Sequence, residues 1–263
     1  MPDALSGLHR IHYTDAGSGY PVLFGHSLTF DGTMFEAQTA VLSKKFRCIS
    51  IDFRGHGKSS KLDEPYTLDD NAADVLAVAD TIGAKRFHYV GLSMGGMTGM
   101  RVVLRAPERM TALALLDTSA GEEDPAKRAA YSDYAKQSRD KPPMPPMIEM
   151  TLGLMFSPAF MKREPAVTDR YRKILLSNDV NAISQATLAV TNRDSILERI
   201  GSIKCPVLVI VGSQDIATPP AQARAIASSI PNAALEVIEG AGHMTPVEAP
   251  EQVTRLLLEF LGE

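Results

Sequence analysis

A serine between two glycines is the first feature of the sequence that could do chemistry. Ser93 lies at the centre of residues 91–95, Gly-Leu-Ser-Met-Gly, after the apolar run at residues 87–92. Helical spacing follows from residue 95 to residue 106. The pattern predicts a sharp turn from strand to helix, where glycine relieves the crowding of the backbone. The Ser93 hydroxyl would stand at a helix N-terminus, where free N–H groups and the helix dipole favour developing negative charge. We therefore expect Ser93 to be a nucleophile.

Histidine is the usual base for such a serine, because the hydroxyl is a weak nucleophile until its proton is removed. The chain has six histidines, at positions 9, 12, 26, 56, 88 and 243. Where this serine motif belongs to a catalytic triad, the three residues follow the chain order Ser, acid, His. Only His243 follows Ser93 with an acidic residue at a predicted strand end between them. It also lies in a glycine-rich loop, residues 239–246, that could carry the imidazole across the edge of a sheet. His243 is the predicted base.

Two aspartates compete for the acid that would orient the imidazole and stabilise its charged form. Asp215 and Asp117 each follow an apolar run that predicts a buried strand. We favour Asp215 and keep Asp117 as the alternative. A third aspartate, Asp52, also ends a predicted strand, and we expect it to order the following loop together with Arg54.

Two N–H donors are needed to bind the oxyanion that forms when a serine attacks a carbonyl group. For this motif they come from the residue after the nucleophile and from the loop after an early strand. The rule predicts Met94 and, in the loop at residues 25–28, Leu28. Ser27 in the same loop is a candidate substrate contact. His26 could be a second base, but we favour a scaffold role that fixes the loop.

The elements that must position these residues alternate along the chain. Apolar or alternating runs predict strands at residues 8–13, 21–24, 46–51, 87–92, 112–116, 206–211 and 234–238. Helical spacing and capping residues predict helices at residues 35–42, 68–82, 95–106, 220–230 and 250–261. Such alternation implies right-handed crossovers and a mostly parallel sheet with helices on both faces. The predicted class is α/β.

The alternation stops after Asp117, and no apolar strand appears between residues 120 and 200. Capping residues and prolines mark helix starts there instead, at residues 124–125, 145–146, 164–165, 179 and 194. Residues 142–146 predict a stiff, proline-rich connector. We therefore predict a helical cap insertion at residues 120–200 and a core formed by residues 1–119 and 201–263.

The predicted cap contains residues that could form the substrate pocket. Met144, Met155 and Phe156 could build a deformable apolar wall over Ser93, because methionine adapts to varied shapes. Ordinary packing inside the cap is the alternative. The cap also contains several arginines, among them those at positions 128, 139, 163, 170, 172 and 193. We expect most of them on solvated helix faces, and one that faced inward would indicate a substrate with a carboxylate.

Composition and charge exclude several classes of function. The chain has 263 residues, a net charge of −4 and 44% hydrophobic residues, without the basic stripe of a nucleic-acid binder. It has no HExxH, paired CxxC or phosphate-loop lysine motif, so we expect neither metal nor cofactor. No apolar run is long enough to span a bilayer, and residues 1–7 show no secretory signal. We expect a cytoplasmic protein that does not bind membranes, with Cys48 and Cys205 reduced.

The sequence resembles the α/β-hydrolase family over nearly its whole length. The matching stretches are residues 24–28, 52–59, 91–96, 212–215 and 242–246. Within the family it is similar to the branch of 3-oxoadipate enol-lactonases and carboxylesterases. The resemblance implies an eight-stranded sheet with a helical cap, and cofactor-free hydrolysis through an acyl-enzyme. Two residues depart from the family pattern. Ser27 replaces a usual glycine, as in the enol-lactonase branch. Phe35 stands where those lactonases tend to carry tryptophan, which argues against an enol-lactone substrate.

The residues and the resemblance together predict a serine hydrolase that cleaves a carboxylic ester of a small to medium, mostly apolar molecule. The nucleophile elbow at Ser93, the catalytic triad with Asp215 and His243, and the oxyanion hole at Leu28 and Met94 carry this prediction. A lactone hydrolase or a C–C bond hydrolase could use the same triad. A ligand receptor on a hydrolase scaffold is the alternative outside enzymes.

Overall fold

The structure, a computed structural model, describes residues 2–141 and 144–262 of the chain. Within these ranges, eight strands form one sheet. They are β1 Asp3–Ser6, β2 His9–Gly17, β3 Tyr20–Gly25, β4 Phe46–Ile51, β5 Phe87–Leu92, β6 Met110–Leu116, β7 Val207–Gly212 and β8 Ala234–Ile238. Their order in the sheet is β1-β2-β4-β3-β5-β6-β7-β8. β2 runs antiparallel to both of its neighbours, and all other neighbouring pairs are parallel. The mostly parallel sheet confirms the predicted fold class.

Helices connect the parallel strands in the described part of the chain. They are α1 Glu36–Leu42, α2 Leu68–Thr81, α3 Met94–Arg105, α4 Pro125–Ser138, α5 Pro145–Met155, α6 Pro158–Arg163, α7 Pro165–Ser177, α8 Val180–Thr191, α9 Pro220–Ser229, α10 Thr245–Glu248 and α11 Pro250–Leu261. Five of them, α4 to α8, lie between β6 and β7. We call residues 120–200 the helical segment. No helix of the described ranges has both the length and the apolar character needed to cross a membrane.

The central strands β3 to β7 are buried on both faces of the sheet, as their apolar sequences require. Side chains alternate along β5, so that Tyr89 packs into one apolar cluster and Val90 and Leu92 into the other. Because β3 and β5 to β8 are parallel, their carboxyl ends lie at the same edge of the sheet. Loops at this edge are where open α/β sheets bind their ligands. The loops that contain Ser27, Leu28, Ser93, Asp215 and His243 all begin at this edge.

Local signals in the sequence predicted most helix starts correctly. Thr67 and Asp70 form the capping box that begins α2. Helices α4, α5 and α7 begin at the predicted prolines, and α8 begins after Asp179. A capping side chain accepts a hydrogen bond from an N–H group that the helix itself cannot pair. A proline in the first turn has no N–H group to pair. These signals need only neighbouring residues, which explains why the sequence predicts them.

Two predictions about helices and connectors need correction or completion, and some short elements were not predicted. Asp194 does not begin a helix, because its carboxylate binds Arg101 at 2.5 Å and the next helical residues are the 3₁₀ turn Ile200–Ser202. In the predicted connector at residues 142–146, residues 142 and 143 lie outside the described residues, and the last two prolines form the first turn of α5. The short elements β1, α6 and α10 were not predicted, because four to six residues carry little periodicity.

Candidate active site

Ser93 occupies the turn between β5 and α3 in a conformation that is unusual for a residue with a side chain. Its φ is 54° and its ψ is −115°. A positive φ costs energy, so the surroundings must hold it in place. The Ser93 N–H donates to the Leu116 carbonyl at 2.9 Å. The Ser93 carbonyl accepts a hydrogen bond from the Thr118 hydroxyl at 2.7 Å. The end of β6 therefore holds the strained turn.

Close backbone contacts explain the glycines on both sides of Ser93. A Cβ at position 91 would lie 2.4 Å from the Gly95 carbonyl oxygen. A Cβ at position 95 would lie 2.0 Å from the Gly25 carbonyl oxygen. Both distances are shorter than a carbon and an oxygen can approach without displacement of the backbone. The sharp strand-to-helix turn that the motif predicts is present, and it packs directly on the loop that follows β3.

His243 and Asp215 form a buried acid–base pair at the carboxyl edge of the sheet. His243 Nδ1 lies 2.9 Å from Asp215 Oδ2, and the two residues are 1% and 3% exposed. Asp215 Oδ1 accepts the N–H groups of Ala217 and Thr218 at 2.9 Å each. The Thr218 hydroxyl donates to Asp215 Oδ2 at 2.9 Å and lies 3.3 Å from His243 Nδ1. These contacts fix the carboxylate so that one oxygen faces the imidazole.

The charge of Asp215 sets the protonation behaviour of His243. Burial disfavours the imidazolium, but the charge and hydrogen bond of Asp215 outweigh it, so the pKa of His243 is raised above its ordinary value. An imidazole whose Nδ1–H is held by a carboxylate presents Nε2 as the basic atom. The pair therefore has the chemistry of a general base that becomes a stabilised cation.

Asp117, the alternative acid, serves a different set of partners. It is fully buried, and its Oδ1 accepts the Gly212 N–H at 2.9 Å. Its Oδ2 accepts the N–H and hydroxyl of Thr245 at 3.2 Å and 2.5 Å. Burial and the nearby charge of Asp215 raise the pKa of Asp117. In the described part of the chain, His243 pairs with Asp215 and not with Asp117, which instead joins the end of β7 to the histidine loop.

The Ser93 side chain lies at the same edge of the sheet but is not hydrogen-bonded to the histidine. Ser93 is 8% exposed, and the hydrogen bonds of residues 2–141 and 144–262 include none between Ser93 Oγ and His243 Nε2. Catalytic hydrogen bonds are often long in free enzymes and shorten when substrate binds. The structure thus forms the pair of His243 and Asp215 completely and places Ser93 at the same edge of the sheet.

The loop after β3 is held in place beside the start of α3. His26 Nε2 accepts the Phe53 N–H at 2.9 Å, and His26 Nδ1 lies 2.7 Å from the Ser27 carbonyl oxygen. Burial lowers the pKa of His26, so its imidazole is neutral and both ring nitrogens are engaged. Within the described residues, the N–H groups of Leu28 and Met94 donate to no protein acceptor. Two unpaired donors therefore remain on the two segments where the sequence predicts them.

The chain is similar to known proteins over nearly its whole length. The model of a family described as the alpha/beta hydrolase fold matches residues 20–250. The chain belongs to the α/β hydrolase fold family. An enol-lactonase from Burkholderia xenovorans LB400 is 31% identical, with a TM-score of 0.93 over 100% of both chains. A thermophilic esterase from Thermogutta terrifontis is 28% identical, with a TM-score of 0.93 over 99% of this chain and 97% of its own. The 3-oxoadipate enol-lactonase 2 of Acinetobacter baylyi is 29% identical over 88% of this chain and 84% of its own. The resemblance inferred from the sequence is confirmed.

The residues predicted to contact substrate lie in different environments in this α/β hydrolase. The Met155 carbonyl accepts the His243 N–H at 3.0 Å, so this residue touches the site through its backbone. Phe156 is 2% exposed and packs on Phe160 at a ring distance of 5.3 Å, as expected of ordinary packing inside the segment. Ser27 is buried in the loop after β3. Met144 is 59% exposed, which does not support its predicted role, because a residue of an enclosed wall would be covered.

Each arginine of the helical segment of the hydrolase is engaged with a carboxylate. The pairs are Arg128 with Glu122, Arg139 with Asp63, Arg163 with Glu164, Arg170 with Glu36, Arg172 with Glu149, Arg193 with Glu123 and Arg199 with Asp194. Of these arginines only Arg193 is buried, and its guanidinium also binds the carbonyls of Gly121 and Val190. It thereby ties together the two ends of the segment. Each of the seven therefore has a carboxylate partner within the protein.

Two residues near the acid–base pair were not predicted from the sequence. Thr218 contacts both Asp215 and His243, and its spacing of three residues from Asp215 is a signal typical of an aspartate turn. Glu248 binds Gly242, next to the histidine, and also Ser157. Because Ser157 is 91 residues away in the sequence, no local pattern predicts this contact. Asp52 orders two loops through Gly32 and Lys58, as expected, but Arg54 pairs with Asp74 instead.

Proposed function

We propose that the protein is a serine hydrolase that cleaves a carboxylic ester through an acyl-enzyme. The observation that carries this proposal is the buried pair of His243 and Asp215, with Nδ1 and Oδ2 2.9 Å apart, at the edge of the sheet where the strained Ser93 lies. An imidazole oriented by a carboxylate is the arrangement that activates a serine hydroxyl.

In the proposed reaction Ser93 Oγ attacks the ester carbonyl carbon while His243 Nε2 takes the hydroxyl proton. The tetrahedral intermediate collapses as its C–O bond to the alcohol breaks, and His243 returns the proton to the leaving alcohol. Water then attacks the acyl-enzyme and gives a proton to His243. Collapse of the second intermediate releases the carboxylic acid, and Ser93 regains its proton. Asp215 orients the imidazole and stabilises its cation in both halves.

We assign the oxyanion hole to the N–H groups of Leu28 and Met94. The support is that both donors lack a protein acceptor in the described ranges, while Gly25 and Gly95 pack their two segments together. Donors aimed at the developing oxyanion contribute a large part of the rate in acyl transfer. Because Met94 is also the first residue of α3, the helix dipole adds to the stabilisation.

We further propose that the helical segment, residues 120–200, acts as a cap over a core of residues 1–119 and 201–263. The support is the contact between Met155 and His243, since it brings the segment against the site. We propose a neutral, mostly apolar ester of small to medium size as substrate. The pairing of the arginines supports only its lack of charge. A lactone is the second candidate, because two of the relatives are named enol-lactonases and the same triad would open a ring.

The test is a substrate panel combined with covalent labelling of Ser93. Short-chain aryl esters, neutral lactones, enol-lactones with a carboxylate and ring-cleavage diketones are compared by kcat/KM. We expect neutral esters to be the fastest, and a fluorophosphonate to label Ser93 in the wild type and not in Ser93→Ala. If folded Ser93→Ala keeps full esterase activity, the proposed mechanism is wrong. Saturable binding of all compounds without turnover would favour a ligand receptor instead.

A further inference from the structure

Glu248 is a buried glutamate that joins the helical segment to the loop of the histidine. It is 8% exposed and ends α10. Its Oε1 accepts the Ser157 N–H at 3.1 Å and the Gly242 N–H at 3.0 Å. Its Oε2 accepts the Ser157 hydroxyl at 2.5 Å. The cation that faces it, Arg163, pairs with Glu164 at 3.6 Å instead. Three hydrogen bonds therefore compensate the burial of this carboxyl group.

A direct backbone contact strengthens the same junction. The His243 N–H donates to the Met155 carbonyl at 3.0 Å. The backbones are so close that a Cβ at position 242 would lie 2.8 Å from the Ser157 nitrogen. Ser157 also begins α6, because its hydroxyl accepts the Phe160 N–H at 3.2 Å. A displacement of the corner at residues 155–157 would consequently be transmitted to the backbone of the histidine.

We propose that Glu248 is a positioning residue that sets the place of His243 by fastening its loop to the corner at residues 155–157. The proposal rests on the proposed function, since it assigns Glu248 a task only if His243 is the base. Glu248 itself touches no reacting atom. Without its carboxylate, the Gly242 and Ser157 N–H groups lose their acceptor, and the imidazole loses one of the supports that aim it at Ser93.

The charge of Glu248 also affects the pH dependence of kcat/KM, which a purely structural role would leave unchanged. Burial lowers the pKa of His243, the charge of Asp215 raises it, and the charges of Asp117 and Glu248 raise it further. Burial raises the pKa of Glu248 itself, while its three hydrogen bonds and Arg163 lower it. Loss of the negative charge at position 248 should therefore lower the pKa of His243. Because the base must be neutral, the acid limb of kcat/KM moves to lower pH.

The experiment compares Glu248→Gln and Glu248→Ala with the wild type on one aryl ester. The glutamine keeps a carbonyl acceptor and the side-chain shape, whereas alanine removes every contact. We expect kcat to fall roughly 10- to 100-fold in Glu248→Ala and less in Glu248→Gln, as for a small misplacement of a catalytic group. KM should change less than kcat. Both variants should shift the acid limb of kcat/KM to lower pH. Glu251→Gln, an exposed glutamate on α11, is the matched control and should keep the wild-type profile.

Two outcomes separate this proposal from the proposed function. If folded Glu248→Gln and Glu248→Ala keep the wild-type kcat and pH profile while Ser93→Ala is inactive, the positioning role is wrong and the hydrolase mechanism stands. If Ser93→Ala is active, the mechanism itself is wrong. Should the Glu248 variants fail to fold, Ser157→Ala provides the decision, because it removes one of the two hydrogen bonds between the corner and Glu248 and leaves the carboxylate on Gly242. An unchanged kcat in folded Ser157→Ala would then overturn the proposal.

Discussion

Replacing Asp215 with asparagine should move the proton of His243 from Nδ1 to Nε2. The shape of the side chain at position 215 stays the same. One carboxylate oxygen of Asp215 accepts two backbone N–H groups, from Ala217 and Thr218, so the asparagine carbonyl must take that position. The amide NH₂ then faces His243 Nδ1, where Oδ2 now lies 2.9 Å away. The Thr218 hydroxyl can rotate to accept the other amide proton. His243 Nδ1 must become the acceptor, so its proton moves to Nε2, which can no longer take the proton of Ser93.

The expected cost is large because the remaining tautomer cannot act as a base. Loss of the orienting carboxylate in a serine triad lowers kcat by about 10⁴-fold, which corresponds to about 5 kcal/mol of transition-state free energy. The variant should fold normally, since all backbone donors keep an acceptor. The assay is steady-state hydrolysis of an aryl ester at neutral pH, with circular dichroism and thermal unfolding as checks of the fold.

Asp117→Asn is the matched comparison, because it makes the same change at the neighbouring strand end. It keeps the bond between His243 and Asp215, so we expect kcat to fall less than about tenfold. Its stability should fall by about 1–3 kcal/mol, because an amide N–H must replace an acceptor of Gly212 or Thr245. The reasoning is refuted if folded Asp215→Asn retains kcat within tenfold of the wild type. A 10⁴-fold loss in Asp117→Asn alone would identify Asp117 as the acid.

Three further results are expected. Gly95→Ala should lower stability by roughly 1–3 kcal/mol in thermal or urea unfolding, because its Cβ would lie 2.0 Å from the Gly25 oxygen; a variant as stable as the wild type would contradict the close packing. The pKa of His243 is raised, so the acid limb of kcat/KM should lie above the ordinary histidine value of about 6.5. Activity should be lost as the pH falls through this limb. A limb below about 6.5 would contradict the pairing with Asp215. Arg54→Met leaves Asp74, which is fully buried, without its partner at 2.7 Å and should cost about 3–5 kcal/mol in urea unfolding; the double variant with Asp74→Leu should recover most of that loss.

The predictions that the structure bears out depend on residues close together in the chain. Thr67 and Asp70 form a capping box three residues apart, and that spacing is visible in the sequence. The apolar run of β7 identifies a central parallel strand without knowledge of its neighbours. The glycines around Ser93 have the spacing that only a sharp turn needs. Asp194 shows the limit of such signals. Aspartate is a common capping residue, but the Asp194 carboxylate binds Arg101 and no helix begins there.

Predictions about side-chain environment were weaker, because exposure depends on how elements pack. Met144 and Met155 have the same residue type and lie at opposite ends of α5, yet one is exposed and the other adjoins His243. Neither helical spacing nor composition distinguishes them. The arginines of the helical segment behave similarly, since their carboxylate partners include Asp63 and Glu36, which lie outside the segment.

The sequence by itself determined the class of fold and predicted Ser93 as nucleophile and His243 as base, because each depends on spacings within a few residues or on a repeating pattern. The sequence favoured Asp215 but kept Asp117 open, and only the tertiary structure shows which of them pairs with His243. Both aspartates end parallel strands at the same edge, and only the path of the loop after β8 decides which one faces His243. The role of Glu248 depends on the tertiary structure even more. Glu248 joins Gly242 to Ser157, and Ser157 lies 91 residues from Glu248 in the chain. Hydrogen bonds between distant segments form only where packing brings them together, and no local signal in the sequence specifies that distance.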